Sequence, residues 1–102
     1  MNKYALHGKL TALEGKVEDL AEILLKASEI VSGAAGCHLY VISKDIADTD
    51  SVWITEIWDT KEDHDESLKL PAVRELIGQA MPLLNGMPEK GQELEVLGGL
   101  GL

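Results

Sequence analysis

Most of the acid–base chemistry open to this chain rests on three histidines. His64 stands in Asp59-Thr60-Lys61-Glu62-Asp63-His64-Asp65-Glu66, an imidazole among carboxylates and so a candidate proton carrier near neutral pH. The competing reading is a solvated first helical turn, where acids answer the helix dipole. His7 and His38 fall in β-rich stretches. There an imidazole could line a cavity and hydrogen-bond a phenolic or quinol hydroxyl, or be satisfied at an interface. Tyr40, on the strand face of His38, could donate its hydroxyl to a substrate oxygen, or be a core residue with one wet end. Trp53 and Trp58 are large aromatic walls for a ring to stack on, or core filling. Arg74 could steer an anionic substrate or pair with Glu75 or Glu66 at the surface. With no Phe, a pocket for an aromatic ring must draw on Trp53, Trp58, Tyr4 or Tyr40, with Leu, Ile and Met walls.

Other chemistries lack their residues. There is no His-x-x-x-His, no cysteine pair and no EF-hand glycine spacing, so no metal site is expected. Dinucleotide, nucleotide and serine-hydrolase signatures are also missing, because no Gly-x-Gly-x-x-Gly follows a strand and no Walker loop or Gly-x-Ser-x-Gly occurs. Cys37 has no cationic neighbour except His38, across the strand, and reads as an inert buried thiol.

The elements that must position these groups belong to one domain of 102 residues. Nine Lys and Arg against 18 Asp and Glu leave a net charge of −9. That balance argues against nucleic-acid partners, since a polyanion needs clustered cations. No apolar run approaches bilayer length and the first residues lack a signal-peptide core, so no membrane partner is expected and the chain reads as cytoplasmic. A single cysteine agrees with a reducing compartment. Two Trp, two Tyr and no Phe leave a small core, which a second chain would help to complete.

Residues 3–11 alternate in part and read as a strand. From Lys16 to Ser32, Val17, Leu20, Leu24, Ala27 and Val31 recur at helical spacing, and Gly33 and Gly36 end the helix. Residues 37–43 and 52–58 read as a hairpin around the acidic loop from Lys44 to Ser51. Thr60, with Asp63 three residues on, can cap a short helix; Pro71 opens a longer one with the stripe Val73, Leu76, Ile77, Ala80 and Leu84, closed by Gly86 and Pro88. Residues 93–97 make a last strand. Thus residues 1–97 form a single domain, and 98–102 a flexible Gly/Leu tail.

The order βαββαβ predicts an α+β, ferredoxin-like split with both helices on one sheet face. Parity sets Tyr4, Leu6 and Leu10 against Ala5, His7 and Lys9; Cys37, Leu39 and Val41 against His38, Tyr40 and Ile42; and Val52, Ile54 and Trp58 against Trp53 and Ile57. Both faces carry apolar residues, so the expected assembly is a homodimer with two sheets packed face to face, a dimeric α/β barrel.

Gly36-Cys37-His38-Leu39-Tyr40, Glu56-Ile57-Trp58-Asp59-Thr60 and Ser67-Leu68-Lys69-Leu70-Pro71-Ala72-Val73, in this element order, resemble the antibiotic biosynthesis monooxygenase family of dimeric α+β barrels. The resemblance implies cofactor-independent oxygenation of a small aromatic or quinol-like molecule. It equally admits a small-molecule-binding or regulatory dimer without catalysis, because members of this fold differ in chemistry. Many members carry a His where Ser67 stands. The haem-degrading branch uses an Asn, a Trp and a His at positions that align with Gly8, Ser67 and Ile77, and none is retained, so haem degradation is not expected.

Overall fold

The computed structural model describes residues 2–88 and 90–102. Strand β1 (Lys3–Thr11) leads through Gly15, whose φ of 79° makes the turn, into helix α1 (Val17–Val31). Glu18 and Asp19 occupy the first turn of α1, where their charge suits the dipole, and Leu20, Leu24, Ala27 and Val31 form its buried stripe. Strands β2 (Cys37–Lys44) and β3 (Ser51–Trp58) follow as a hairpin. The intervening loop is held by Asp45, whose carboxylate accepts from the Ala47 and Asp48 amides and from the Trp53 indole.

Helix α2 (Lys61–Ser67) starts where expected, since the Thr60 hydroxyl accepts from the Asp63 amide at 3.1 Å. Leu70 is extended, as a residue before proline must be, and Pro71 opens α3 (Pro71–Ala80). The expected continuation of α3 towards Gly86 does not form. Pro82 has no amide hydrogen and its ring clashes with the preceding turn, so the chain tightens into one 3-10 turn at Met81–Leu83. Leu84 still packs against the core, through a bridge to Ala12. Strand β4 (Gln92–Val96) completes an antiparallel sheet in the order β2-β3-β1-β4. This is the ferredoxin-like arrangement, with the helices on one face.

The side chains between sheet and helices form two separate clusters. One gathers Ala12, Leu20, Leu24, Val52 and Ala80; the other gathers Val31, Trp58 and Val73, with Tyr4, Cys37 and Tyr40 against them. Leu20, Val52 and Trp58 are 0% exposed. The grouping of Cys37 with Tyr40 corrects the alternation expected for β2. The register slips between Cys37 and Leu39, and a bulge there gives one residue no partner and reverses parity across it. The far sheet face carries Ala5, His7, Leu39, Val41, Trp53, Ile57 and Leu94, the last pairing with Ala5, and no helix covers it.

Candidate functional site

Between the two clusters the sheet and helices form a partly open cavity of about 370 Å³. Its floor is Leu6, Leu10, Tyr40, Ile54 and Glu56, its roof is built from α1 and α3, and His64 and Leu68 close one side. The polar side chains in this otherwise aliphatic wall are Glu56, His64 and Tyr40. Cross-strand register explains why they meet. Tyr40 pairs with Glu56 and Glu56 pairs with Leu6, so all three share one row on the helix-facing side.

Glu56 is 6% exposed, an expensive place for a carboxyl group. Its Oε1 accepts from the Trp58 indole Nε1 at 3.0 Å, and the His64 Nε2 lies 3.8 Å away. Burial pushes the Glu56 carboxyl above the usual carboxylate range, and the Trp58 hydrogen bond and His64 only partly offset this. His64 is itself 9% exposed, its ring set edge-on to Trp58 at 6.0 Å between centroids. On the solvent side its Nδ1 lies 3.0 Å from Asp65 Oδ1. That carboxylate is held below its usual range, first by this bond and then by Lys61, whose Nζ is 3.2 Å from Oδ2. A carboxylate only accepts, so Asp65 takes the Nδ1–H, and Nε2 faces Glu56 and the cavity. The Tyr40 phenol is raised in pKa by burial and then by Glu56, which keeps it a neutral donor.

The other residues singled out from sequence lie elsewhere. His7 and Trp53 stand on the uncovered sheet face, rings stacked at 4.7 Å and 15°, with a His7 ring nitrogen 3.0 Å from the Thr55 hydroxyl. His38 pairs with Asp59 at 2.6 Å on the surface. Arg74 is exposed on α3 and does not line the cavity. Trp58 is fully buried and acts on the cavity through Glu56 rather than as a wall. The Tyr4 hydroxyl donates to Glu93 at 3.0 Å; burial, then that bond, push the phenol up to about 12. No aromatic platform therefore lines the cavity except Tyr40. The Cys37 thiol is half-buried and pushed up by burial. Among the described residues, no group of three or more His, Cys, Asp and Glu side chains is placed to hold a metal ion, and no helix is long and apolar enough to cross a membrane.

Two site residues escape a search centred on histidines and aromatics. Glu56 carries a legible signal, since positions 52, 54, 56 and 58 of β3 share a face and only position 56 is charged. Asp65 carries none, because nothing in an acidic run distinguishes the carboxylate that turns towards His64.

A family model described as antibiotic biosynthesis monooxygenase matches residues 3–79. A crystal structure from Chloroflexus aurantiacus J-10-fl, provisionally named an antibiotic biosynthesis monooxygenase, is 37% identical, superposes with a TM-score of 0.85 and covers 95% of both chains. One from Deinococcus radiodurans, with the same provisional name, is 25% identical over 94% of this chain and 92% of that one, at a TM-score of 0.76. A conserved protein from Methanosarcina mazei Go1 shares the fold at 14% identity, with a TM-score of 0.85 and 94% of each chain covered. No curated protein matches. The match over most of the length, and a relative 37% identical over 95% of both chains, show that this chain belongs to the antibiotic biosynthesis monooxygenase family.

Proposed function

We propose that the chain is a cofactor-independent monooxygenase that oxidises a small phenol or hydroquinone with dioxygen. One observation carries this reading: Glu56, His64 and Tyr40 converge at one end of an aliphatic cavity, with His64 Nε2 turned inward. In this mechanism His64 takes a hydroxyl proton from the substrate, and Tyr40 donates a hydrogen bond to the oxygen on which charge develops. The electron-rich anion passes one electron to dioxygen, and the two radicals join at a ring carbon as a hydroperoxide. His64 then returns its proton to the distal oxygen, the O–O bond breaks, and a ring C–H proton is lost. Hydroquinone plus dioxygen thus become hydroxyquinone plus water, with all four electrons drawn from the substrate. The aliphatic wall excludes water, as reactive intermediates require.

The reading includes a homodimer, supported by the apolar residues on the uncovered sheet face. Ligand binding without turnover is the second reading. It is favoured by Ser67, at the position where many members carry a His: its hydroxyl is spent on the His64 carbonyl at 2.5 Å and is not free for substrate. Oxygen uptake with hydroquinones, in protein freed of metal and flavin, separates the two. Uptake abolished by His64→Ala supports the oxygenase, whereas tight binding without uptake supports the binding protein.

A further inference from the structure

The cavity is polarised along its length. Glu56 and Tyr40 lie at the end nearest the Trp58 cluster, in the row that also holds Leu6, with His64 of α2 beside Glu56. Leu10 lies four residues further along β1, about 13 Å at the usual rise of a strand. Ala80, Met81 and Leu84 line that second end, beside the Leu20 cluster. The wall between the two rows is aliphatic, Ile54, Leu24, Leu76 and Ile77 included, and no Lys or Arg lines it. An isolated ring held at the polar row would leave the far half of this space unfilled. A rigid multi-ring molecule would find no aromatic platform there, and an anionic tail would find no cation. The volume also stands near the small end for ligand pockets.

From this layout we infer that the substrate class is a phenol bearing a short aliphatic chain para to its hydroxyl, bound with its hydroxyl at Glu56, His64 and Tyr40 and its chain along Ile54 towards Ala80. This rests on the cavity being the substrate site. The oxidation chemistry is a separate matter. Each methylene that leaves water for this wall should tighten binding about three- to fourfold until the chain reaches the second cluster.

Titration calorimetry with 4-alkylphenols from methyl to octyl, and with butylbenzene, tests it on the whole chain. The expected result is a stepwise fall in Kd that then levels off, with butylbenzene at least tenfold weaker than 4-butylphenol. Ala80→Leu, which fills the aliphatic end, should make the fall stop at a shorter chain and weaken the long-chain phenols more than 4-methylphenol. Should that variant not fold, Ile77→Trp narrows the same end from the exposed side of α3 and carries the same expectation. A Kd independent of chain length, or butylbenzene binding as tightly as the phenol, overturns the inference. Oxygen uptake with the same 4-alkylphenols reads the chemistry independently. Graded binding without uptake refutes the oxygenase and leaves the ligand class standing; uptake without graded binding does the reverse.

Discussion

Trp58 donates its indole hydrogen to Glu56, two residues earlier on the same face of the same strand, at 3.0 Å. The pair locks the carboxyl rotamer from the side away from the cavity. His64 and the cavity therefore meet a carboxyl whose position is already fixed by a residue that is itself fully buried. Order at the site thus depends on a tryptophan that touches no ligand.

Loss of the imidazole should remove proton transfer while sparing the fold. His64→Ala is expected to lower kcat by about 10²-fold or more, with an unchanged circular dichroism spectrum. Asp65→Asn tests the orienting bond separately. An asparagine can donate to Nδ1 and so let the proton move to Nε2, where it blocks the acceptor; kcat should fall while ligand Kd holds. Full turnover by both variants on an identified substrate excludes histidine as the base.

Glu56 predicts a distinct pH dependence of stability. Burial raises its folded-state pKa. At pH values below the usual carboxylate range, this carboxyl is protonated in folded and unfolded chains alike. As pH climbs towards the raised value, the unfolded chain releases the proton while the folded chain keeps it, so stability is lost. Glu56→Gln retains an acceptor for Trp58 and cannot titrate. The Tm of the variant minus that of the wild type should therefore rise as the pH climbs through and above the usual carboxylate range. Asp45, Asp48, Asp65 and Glu93, all lowered, act in the opposite direction but cancel in the difference. A flat difference would show that Glu56 is not carrying a burial penalty.

Sedimentation at low micromolar concentration should give about twice the 11.1 kDa chain mass. On the uncovered sheet face Val41 is 43% exposed and Leu94 is 50% exposed. Charging that face with Val41→Lys and Leu94→Lys should yield a folded monomer. A wild type that sediments as a monomer removes the face-to-face barrel.

Gly36 has a φ of 82°, and a Cβ placed there would overlap the Asp63 carboxylate. Gly36→Ala should cost about 1–3 kcal/mol for the left-handed backbone, with the collision in addition. Gly86 has a similar φ of 88° but open space around it. Thermal melts should show a clearly larger fall in Tm for Gly36→Ala than for Gly86→Ala, and equal falls would mean that Asp63 swings aside freely.

Element order and most boundaries were legible because hydrophobic period distinguishes strand from helix in a chain with few ambiguous runs. Thr60 and Pro71 announce their helices by local chemistry alone. Two features defeat that reading. The slip after Cys37 depends on how β2 meets β3, a pairing that the spacing within one strand does not encode. The stop at Ala80 is written in Pro82, yet the apolar spacing to Leu84 continues straight through it. For the site, His64 and Tyr40 could be named from residue type. Their meeting with Glu56 depends on register between strands, and the separation of His7 and Trp53 from that group depends on which face the helices cover.

The gap between the Leu20 and Trp58 clusters also bears on mechanics. Aliphatic walls hold water poorly, so whatever part of this space is shielded from solvent is free volume that disappears when the chain unfolds. A protein with such a void loses system volume on unfolding and yields to hydrostatic pressure more readily than one with a continuous core. A ligand that fills the void removes both the free volume and the sensitivity, so occupancy of the cavity would be readable as baroresistance.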